Sequence, residues 1–344
     1  AKITLSYAEA LFDTLRNKGH RDSTAGKKLI GLSDRFIASG ALAQEYTPLY
    51  FRTFRYVDVE IETQQEPLRL TKFYSVFTGY PFKLEGDFSS DQPFLKKIWA
   101  TGWRTARLCA VDTYFDCPYY EQLQYVGDTR IQALISLYLS GDDRLMRKAI
   151  EDISHSFIPD GLTQSRYPSR DLQVIPTFSL WWVCMLQDYW MHRTDDAFVK
   201  KHLRGVQQVL QWYAERLKPD GMLGALSWWP FTDWSWPYVD SIRVGGVPPG
   251  ASKGGSSVLS LQYAYTLKRA AMLLRHYGEG RSAEQYEKQA AFICSQTYKL
   301  CWDPQRQLLA DVPDRSSFSQ HANILGILTD ALPLNEQQNV LTKL

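Results

Sequence analysis

The 344 residues carry 39 Lys and Arg against 37 Asp and Glu, a net charge of +2 that gives no electrostatic case for nucleic acid or an anionic membrane as partner. Five scattered cysteines without a CxxC pair and six histidines without HExxH-type spacing argue against a disulfide scaffold and a His/Cys metal site, so no metal and no cofactor are expected. The outlier is aromatic content, 14% of the chain, in a sequence long enough for two domains and without an apolar run near the roughly 20 residues of a membrane span.

Residues 1–85 read as β-structure. Ile3, Leu5 and Tyr7 alternate with Lys2, Thr4 and Ser6, and Val57, Val59 and Ile61 alternate with Asp58, Glu60 and Glu62, the period of strands with one buried face. A third alternating run covers Leu68 to Phe77, and the glycine-containing stretch between the first two reads as connecting loops and short strands. These are too few for a closed sandwich of about seven strands. Arg52 and Arg55 read as part of a polar strand face.

From Ser90 the period changes. Ser90 or Asp91 can cap a helix in which Leu95, Ile98, Trp99, Gly102, Ala106 and Cys109 recur at three- and four-residue steps. It leads into Asp116-Cys117-Pro118-Tyr119-Tyr120-Glu121-Gln122-Leu123-Gln124-Tyr125-Val126-Gly127-Asp128, an irregular stretch broken by Pro118 and Gly127. Three carboxylates and three tyrosines interleave there. Rings stack on the C–H faces of sugars, carboxylates accept hydrogen bonds from hydroxyls, and a carboxyl partly desolvated by rings keeps its proton more readily, as a general acid must.

Helical patterns then cover 129–140, 142–156, 175–193, 195–217, 256–277, 281–300, 318–330 and 335–344. Helices paired through alternately short and long connections predict a mainly α fold, an (α/α)6 toroid over residues 86–344 preceded by part of a β-sandwich over 1–85. Roughly nine helices are present against the twelve that close such a toroid. Trp181 and Trp182 fall inside one pattern and read as core. Of the long connections, Ser165-Arg166-Tyr167-Pro168-Ser169-Arg170 offers basic groups to a site, and Trp228-Trp229-Pro230-Phe231-Thr232-Asp233-Trp234-Ser235-Trp236-Pro237 holds four tryptophans in a proline-broken stretch, where at least one ring should face a cleft. The glycine-rich 245–255 lacks the strand and the GKS/T ending of a phosphate loop and reads as a lead to a helix capped near Ser256 or Ser257.

Asp-Cys-Pro, a Glu five positions after the Asp, then an aromatic and Gly-Asp, resembles the signature loop of the inverting α-L-rhamnosidases, glycoside hydrolase family 78. The resemblance implies Glu121 as general acid and Asp116 and Asp128 as acceptors for rhamnose hydroxyls. Tyr120 and Tyr125 stand where the family often has Arg and Trp. Asp233-Trp234 resembles the Asp-Trp pair of a family loop lining the sugar site, with Thr232 in place of its Gly, and Arg166 joins this set as a substrate-binding candidate. Tyr7-Ala8-Glu9 and Phe51 to Val57 resemble the last strands of the sandwich before the family's barrel, so Ala1 is expected inside that sandwich and Leu344 inside the barrel.

The resemblance implies hydrolysis of terminal α-L-rhamnosides with inversion, a rhamnose-containing glycan or glycoside as partner, and, from that substrate class, a periplasmic or secreted setting. Inversion needs a second carboxylate holding water on the opposite face of the sugar. Among late glutamates, Glu279, Glu284, Glu287 and Glu336 all sit on polar helical faces, so the base is left unassigned. A non-catalytic carbohydrate-binding protein and a six-hairpin glycosidase for another sugar remain as alternatives.

Overall fold

The computed structural model describes residues 1–237 and 245–344. They form two compact units, one of residues 1–81 with 107–122 and one of 82–106 with 123–344.

In the first unit three strands, β1 (Lys2–Ala8), β2 (Leu32–Ile37) and β3 (Tyr56–Glu62), make an antiparallel sheet in the order β2-β1-β3. Ile3 faces Phe36 on one side and Ile61 on the other. Burial is concentrated at the end of the central strand, at Tyr7 and Ala8, whereas Leu32 and Ile37 on the edge are exposed. Arg52 holds Asp34 of β2 through two hydrogen bonds of 2.7 and 2.9 Å, and Arg55 pairs with Asp22. These arginines are structural, and the Arg52 guanidinium holds the Asp34 carboxyl below its usual range.

The expected strand over Leu68–Phe77 is absent. The segment joins no ladder, and Leu70, Phe73, Tyr74, Val76 and Phe77 are exposed. Alternation specifies a strand only where a partner edge and a surface to cover are supplied. The third strand is instead β2, a six-residue strand inside the stretch read as connecting loops and short strands.

The second unit is helical. After α1 (Pro93–Leu108) come α2 (Val126–Ser140), α3 (Arg144–Ser154), α4 (Pro176–His192), α5 (Asp196–Ala214), α6 (Ser257–His276), α7 (Gly280–Cys301), α8 (Gln320–Leu328) and α9 (Leu334–Leu341). Helix starts follow local chemistry: Pro176 opens α4, and the Asp195, Ser256 and Ser319 side chains accept backbone N–H groups at the starts of α5, α6 and α8. Gly141, at φ 64°, ends α2 in the left-handed conformation that glycine adopts without strain. A two-residue hairpin, β4 (Trp302–Asp303) with β5 (Leu308–Leu309), follows α7 and lay outside the sequence reading.

The even-numbered helices pack on one another, α2 on α4, α4 on α6 and α6 on α8, and each carries its successor at its back. This is the six-hairpin arrangement, with α2, α4, α6 and α8 as the inner row. Trp182 of α4 is fully buried and donates its indole N–H to Ile150 of α3 at 3.1 Å. Gly205 of α5 lets that ring in: a Cβ there would stand 2.9 Å from it.

Candidate active site

Tyr125, just before α2, is stitched into the connection ahead of α4. It forms a β-bridge with Arg166, and Val126 donates to the carbonyl of Ser165 at 3.0 Å. The Arg166 guanidinium bonds the Tyr125 hydroxyl and lies 5.2 Å from its ring centre. The Tyr125 ring meets Phe178 edge-on at 6.3 Å, Phe178 meets Phe231 at 6.0 Å, and Phe231 meets Trp234 at 5.0 Å, with Trp229 against both of the last two. Gly127 permits this, since a Cβ there would stand 3.0 Å from the Phe178 ring.

The aromatic stretch 228–237 is pinned by its polar backbone. The Thr177 hydroxyl donates to the Phe231 carbonyl, Trp229 donates its indole N–H to Gly245 at 3.0 Å, and Thr232 donates to Gly246 at 2.8 Å. Gly246, at φ 70°, lies so close to the Phe231 ring that a Cβ would overlap it at 2.3 Å. Trp234 is left 69% exposed, a ring face available to a ligand. Asp233 accepts from Ser235 at 2.5 Å and meets Nε2 of His321, at the start of α8, at 2.9 Å; the Ser235 hydroxyl first and the imidazole second hold its carboxyl below the usual range. Thus Tyr125, Arg166, Asp233 and Trp234 are brought into one network within the helical unit, and Asp128 lies in the first turn of α2 beside Tyr125.

Asp116, Tyr120 and Glu121 belong to the other unit. The Cys117 thiol donates to Asp116 Oδ2 at 2.9 Å, and its sulfur accepts the backbone N–H groups of Gln122 and Glu121; burial and the Asp116 bond push the thiol up from its usual value. Cys117 therefore fixes the Asp116 carboxylate against the turn that carries Glu121. Gln122 closes that turn at φ 53°, in the left-handed region where a side chain is strained, and its amide donates to the Pro118 carbonyl at 2.9 Å. Glu121 is exposed. Tyr120 donates to Glu9 at 3.1 Å, stands edge-on to Tyr119 and lies under the Lys18 ammonium at 4.4 Å, so its polar end serves the sheet unit.

Two residues were missed or misjudged in the sequence. His321 carries no motif, and only the cap at Ser319 marks its surroundings. Trp181, read as core with Trp182, is half-buried: it meets Tyr265 of α6 at 6.3 Å, with the Arg130 guanidinium 5.1 Å from its ring centre. Arg130 is held by Asp188 at 2.7 Å, and Arg269 by Tyr265 at 2.7 Å. Of the late glutamates, Glu279 accepts from Gln207, Glu287 pairs with Arg275 at the end of α6 and Glu336 accepts from Tyr298. Among the described residues no group of three or more His, Cys, Asp or Glu is placed to hold a metal ion, and no helix is long and apolar enough to cross a membrane.

Residues 83–344 match the family model described as bacterial alpha-L-rhamnosidase 6 hairpin glycosidase domain. No curated protein matches the chain. Among solved structures, the family 78 rhamnosidase of Bacillus sp. GL1 superposes with a TM-score of 0.78 at 21% identity, covering 99% of this chain and 34% of that one. The Klebsiella oxytoca rhamnosidase with rhamnose bound gives 0.75 at 18% identity, covering 99% and 64%. The Streptomyces avermitilis α-L-rhamnosidase complexed with L-rhamnose gives 0.67 at 16%, covering 99% and 30%. The chain thus shares their fold while spanning between about a third and under two thirds of their length.

Proposed function

The chain belongs to the family of bacterial α-L-rhamnosidase six-hairpin glycosidase domains, and on that premise we propose that the protein hydrolyses terminal α-L-rhamnosides with inversion at the anomeric carbon. The observation that carries the reading beyond the family is the ring network from Tyr125 through Phe178 and Phe231 to Trp234, with Arg166 and Asp233 as its polar ends. An exposed indole flanked by fixed charged groups suits a sugar, which offers C–H faces to rings and hydroxyls to carboxylates and guanidinium. Rhamnose is the ligand bound in the Klebsiella and Streptomyces structures.

In this reading Glu121 donates its proton to the glycosidic oxygen as the C1–O bond breaks, while water adds to C1 from the opposite face and gives its proton to a second carboxylate. Asp116, Asp128 and Asp233 accept sugar hydroxyls, Arg166 donates to one, Tyr125 and Trp234 stack, and Tyr120 contributes its ring beside Glu121. Residues 1–85 are the end of a β-sandwich ahead of the catalytic toroid of 86–344.

The test is Glu121→Gln, assayed on two rhamnosides. With an alkyl leaving group, kcat should fall by roughly a hundredfold or more, the usual contribution of general acid catalysis. With an acidic phenol as leaving group, less protonation is needed and the loss should be smaller. Equal losses on both overturn the acid role. A wild-type protein that binds L-rhamnose and hydrolyses neither is a carbohydrate-binding protein.

A further inference from the structure

Helix α8 begins on a fixed post. Asp311 is fully buried, and its carboxylate accepts the Ser319 hydroxyl at 2.5 Å through one oxygen and the Ser317 hydroxyl at 2.7 Å through the other. Ser319 in turn caps the helix by accepting from the Ala322 backbone N–H at 3.2 Å. The Asn323 amide donates to the carbonyls of Ser319 and Leu309, at 2.9 Å each, and accepts the Leu309 N–H at 2.8 Å. The first turn of α8 is thus tied down on both sides of His321, the second helical residue.

From this post His321 reaches the aromatic loop. Its ring centre lies 4.7 Å from that of Trp236, and its Nε2 stands 2.9 Å from Oδ2 of Asp233. The Ser235 hydroxyl first, with the imidazole after it, holds the Asp233 carboxyl below its usual range, and an ionised carboxylate only accepts, so Nε2 carries the proton of that bond. A partly exposed His–Asp contact is ordinarily worth little, and with side chains 29% and 47% exposed this one could be no more than a tie between helix and loop. Two observations give it a further role. The Ser235 hydroxyl donates at 2.5 Å to the same oxygen, Oδ2, so both side-chain donors converge on one side of the carboxylate. Asp233 also directly precedes Trp234, the exposed ring that ends the network running from Tyr125.

Resting on the rhamnoside reading above, we propose that His321 is a positioning residue for sugar binding: by holding Oδ2 it directs Oδ1 of Asp233 to a rhamnose hydroxyl beside the Trp234 ring. The terminal torsion of an aspartate is soft, and Ser235 belongs to the same exposed loop, so it moves with Asp233. His321 stands on a separate, buried-anchored element. It therefore supplies the outside reference that keeps the hydroxyl acceptor and the stacking ring at one fixed spacing.

The test is a double-mutant cycle on L-rhamnose binding, measured by calorimetry on the intact chain. His321→Leu fills the space without a donor and should raise Kd about tenfold, equivalent to about 1.4 kcal/mol, whereas His321→Gln, which keeps an N–H donor at similar reach, should stay within about threefold of the wild type. In the Asp233→Ala background, already weakened, His321→Leu should add nothing, because the group it acts through is gone. Equal losses from Leu and Gln, or a loss that adds in full to that of Asp233→Ala, would make His321 packing alone and overturn the proposal. Should His321→Leu fail to fold, the comparison of His321→Gln with His321→Asn, whose shorter amide stops short of Oδ2, carries the same test. Because binding rather than turnover is measured, Glu121→Gln can refute the acid role while this cycle stands. A wild-type protein that does not bind L-rhamnose, or an Asp233→Ala variant that binds it equally well, overturns both the positioning role and the sugar site on which it rests.

Discussion

Helices α4 and α5 form one hairpin, yet they obey different rules. In α4, 13 of 17 residues are buried, so it has no polar face; in α5 the figure is 9 of 19, and one face is polar. An inner helix touches protein on nearly every side, and each polar group that it keeps must find a partner. Thr177 of α4 holds the Phe231 carbonyl, Ser179 meets Thr163 at 2.9 Å, and Asp188 holds Arg130. An outer helix can leave such groups to water. The inner row is therefore where stability and the organisation of the Tyr125–Trp234 ring network depend on the same side chains, and the outer row is where polar residues are free to be spent on other surfaces.

The largest effect expected from this contrast is at Trp182. Trp182→Ala removes a fully buried ring and its hydrogen bond to the Ile150 carbonyl, and should destabilise by about 3–5 kcal/mol, whereas Arg204→Ala on the outer face should stay within about 0.5 kcal/mol. Urea unfolding of both variants checks the pair, and losses of similar size would abolish the distinction between rows. Gly205→Ala comes next. Alanine is the better helix former, so on an open face it would stabilise α5, but a methyl 2.9 Å from Trp182 and 3.1 Å from Phe157 must displace them. Overpacking should prevail at about 1–3 kcal/mol of destabilisation. A gain in the unfolding midpoint would show that the hairpin yields there.

The same contrast explains what the sequence revealed. Outer α5 and α7 alternate cleanly between faces, and caps at Asp195, Ser256 and Ser319 mark helix starts, so helix positions were legible to within a few residues. The Trp181-Trp182 pair was not resolved, because in a helix buried nearly all round, periodicity does not say which ring points to the axis. In the sheet unit, the alternating run over Leu68–Phe77 joins no ladder and leaves its apolar residues exposed, while β2 falls in the stretch read as connecting loops and short strands, its edge residues Leu32 and Ile37 exposed. At the site, residue types marked the stretches that hold Tyr125, Arg166 and the four tryptophans of 228–237, and resemblance marked Asp233 and Trp234. What spacing could not supply were partners distant in sequence: His321 lies 88 residues from Asp233. Nor could it show that Cys117, read only as part of the Asp-Cys-Pro motif, ties Asp116 to the Glu121 turn.

The smallest expected effect is a pH dependence at the junction of the rows. His202 of α5 is 4% exposed, ring to ring with Trp182 at 6.0 Å and Phe198 at 4.8 Å, with Glu151 of α3 at 3.3 Å and Lys201 and His155 nearby. Burial lowers its pKa from the usual value of about 6.5, and the Glu151 carboxylate only partly offsets this. With the folded value below the unfolded one, the unfolded chain binds the extra proton first as pH falls. The neutral imidazole's contribution is thus complete above about pH 6.5 and is lost progressively below it, down to the folded value. His202→Phe keeps a ring of similar size between Trp182 and Phe198 and removes the titrating group. Its unfolding free energy should decline less than that of the wild type between pH 7.5 and pH 5.5, measured by urea titration at each pH. Parallel declines in the two proteins would assign the acid sensitivity to other groups and leave His202 as packing alone.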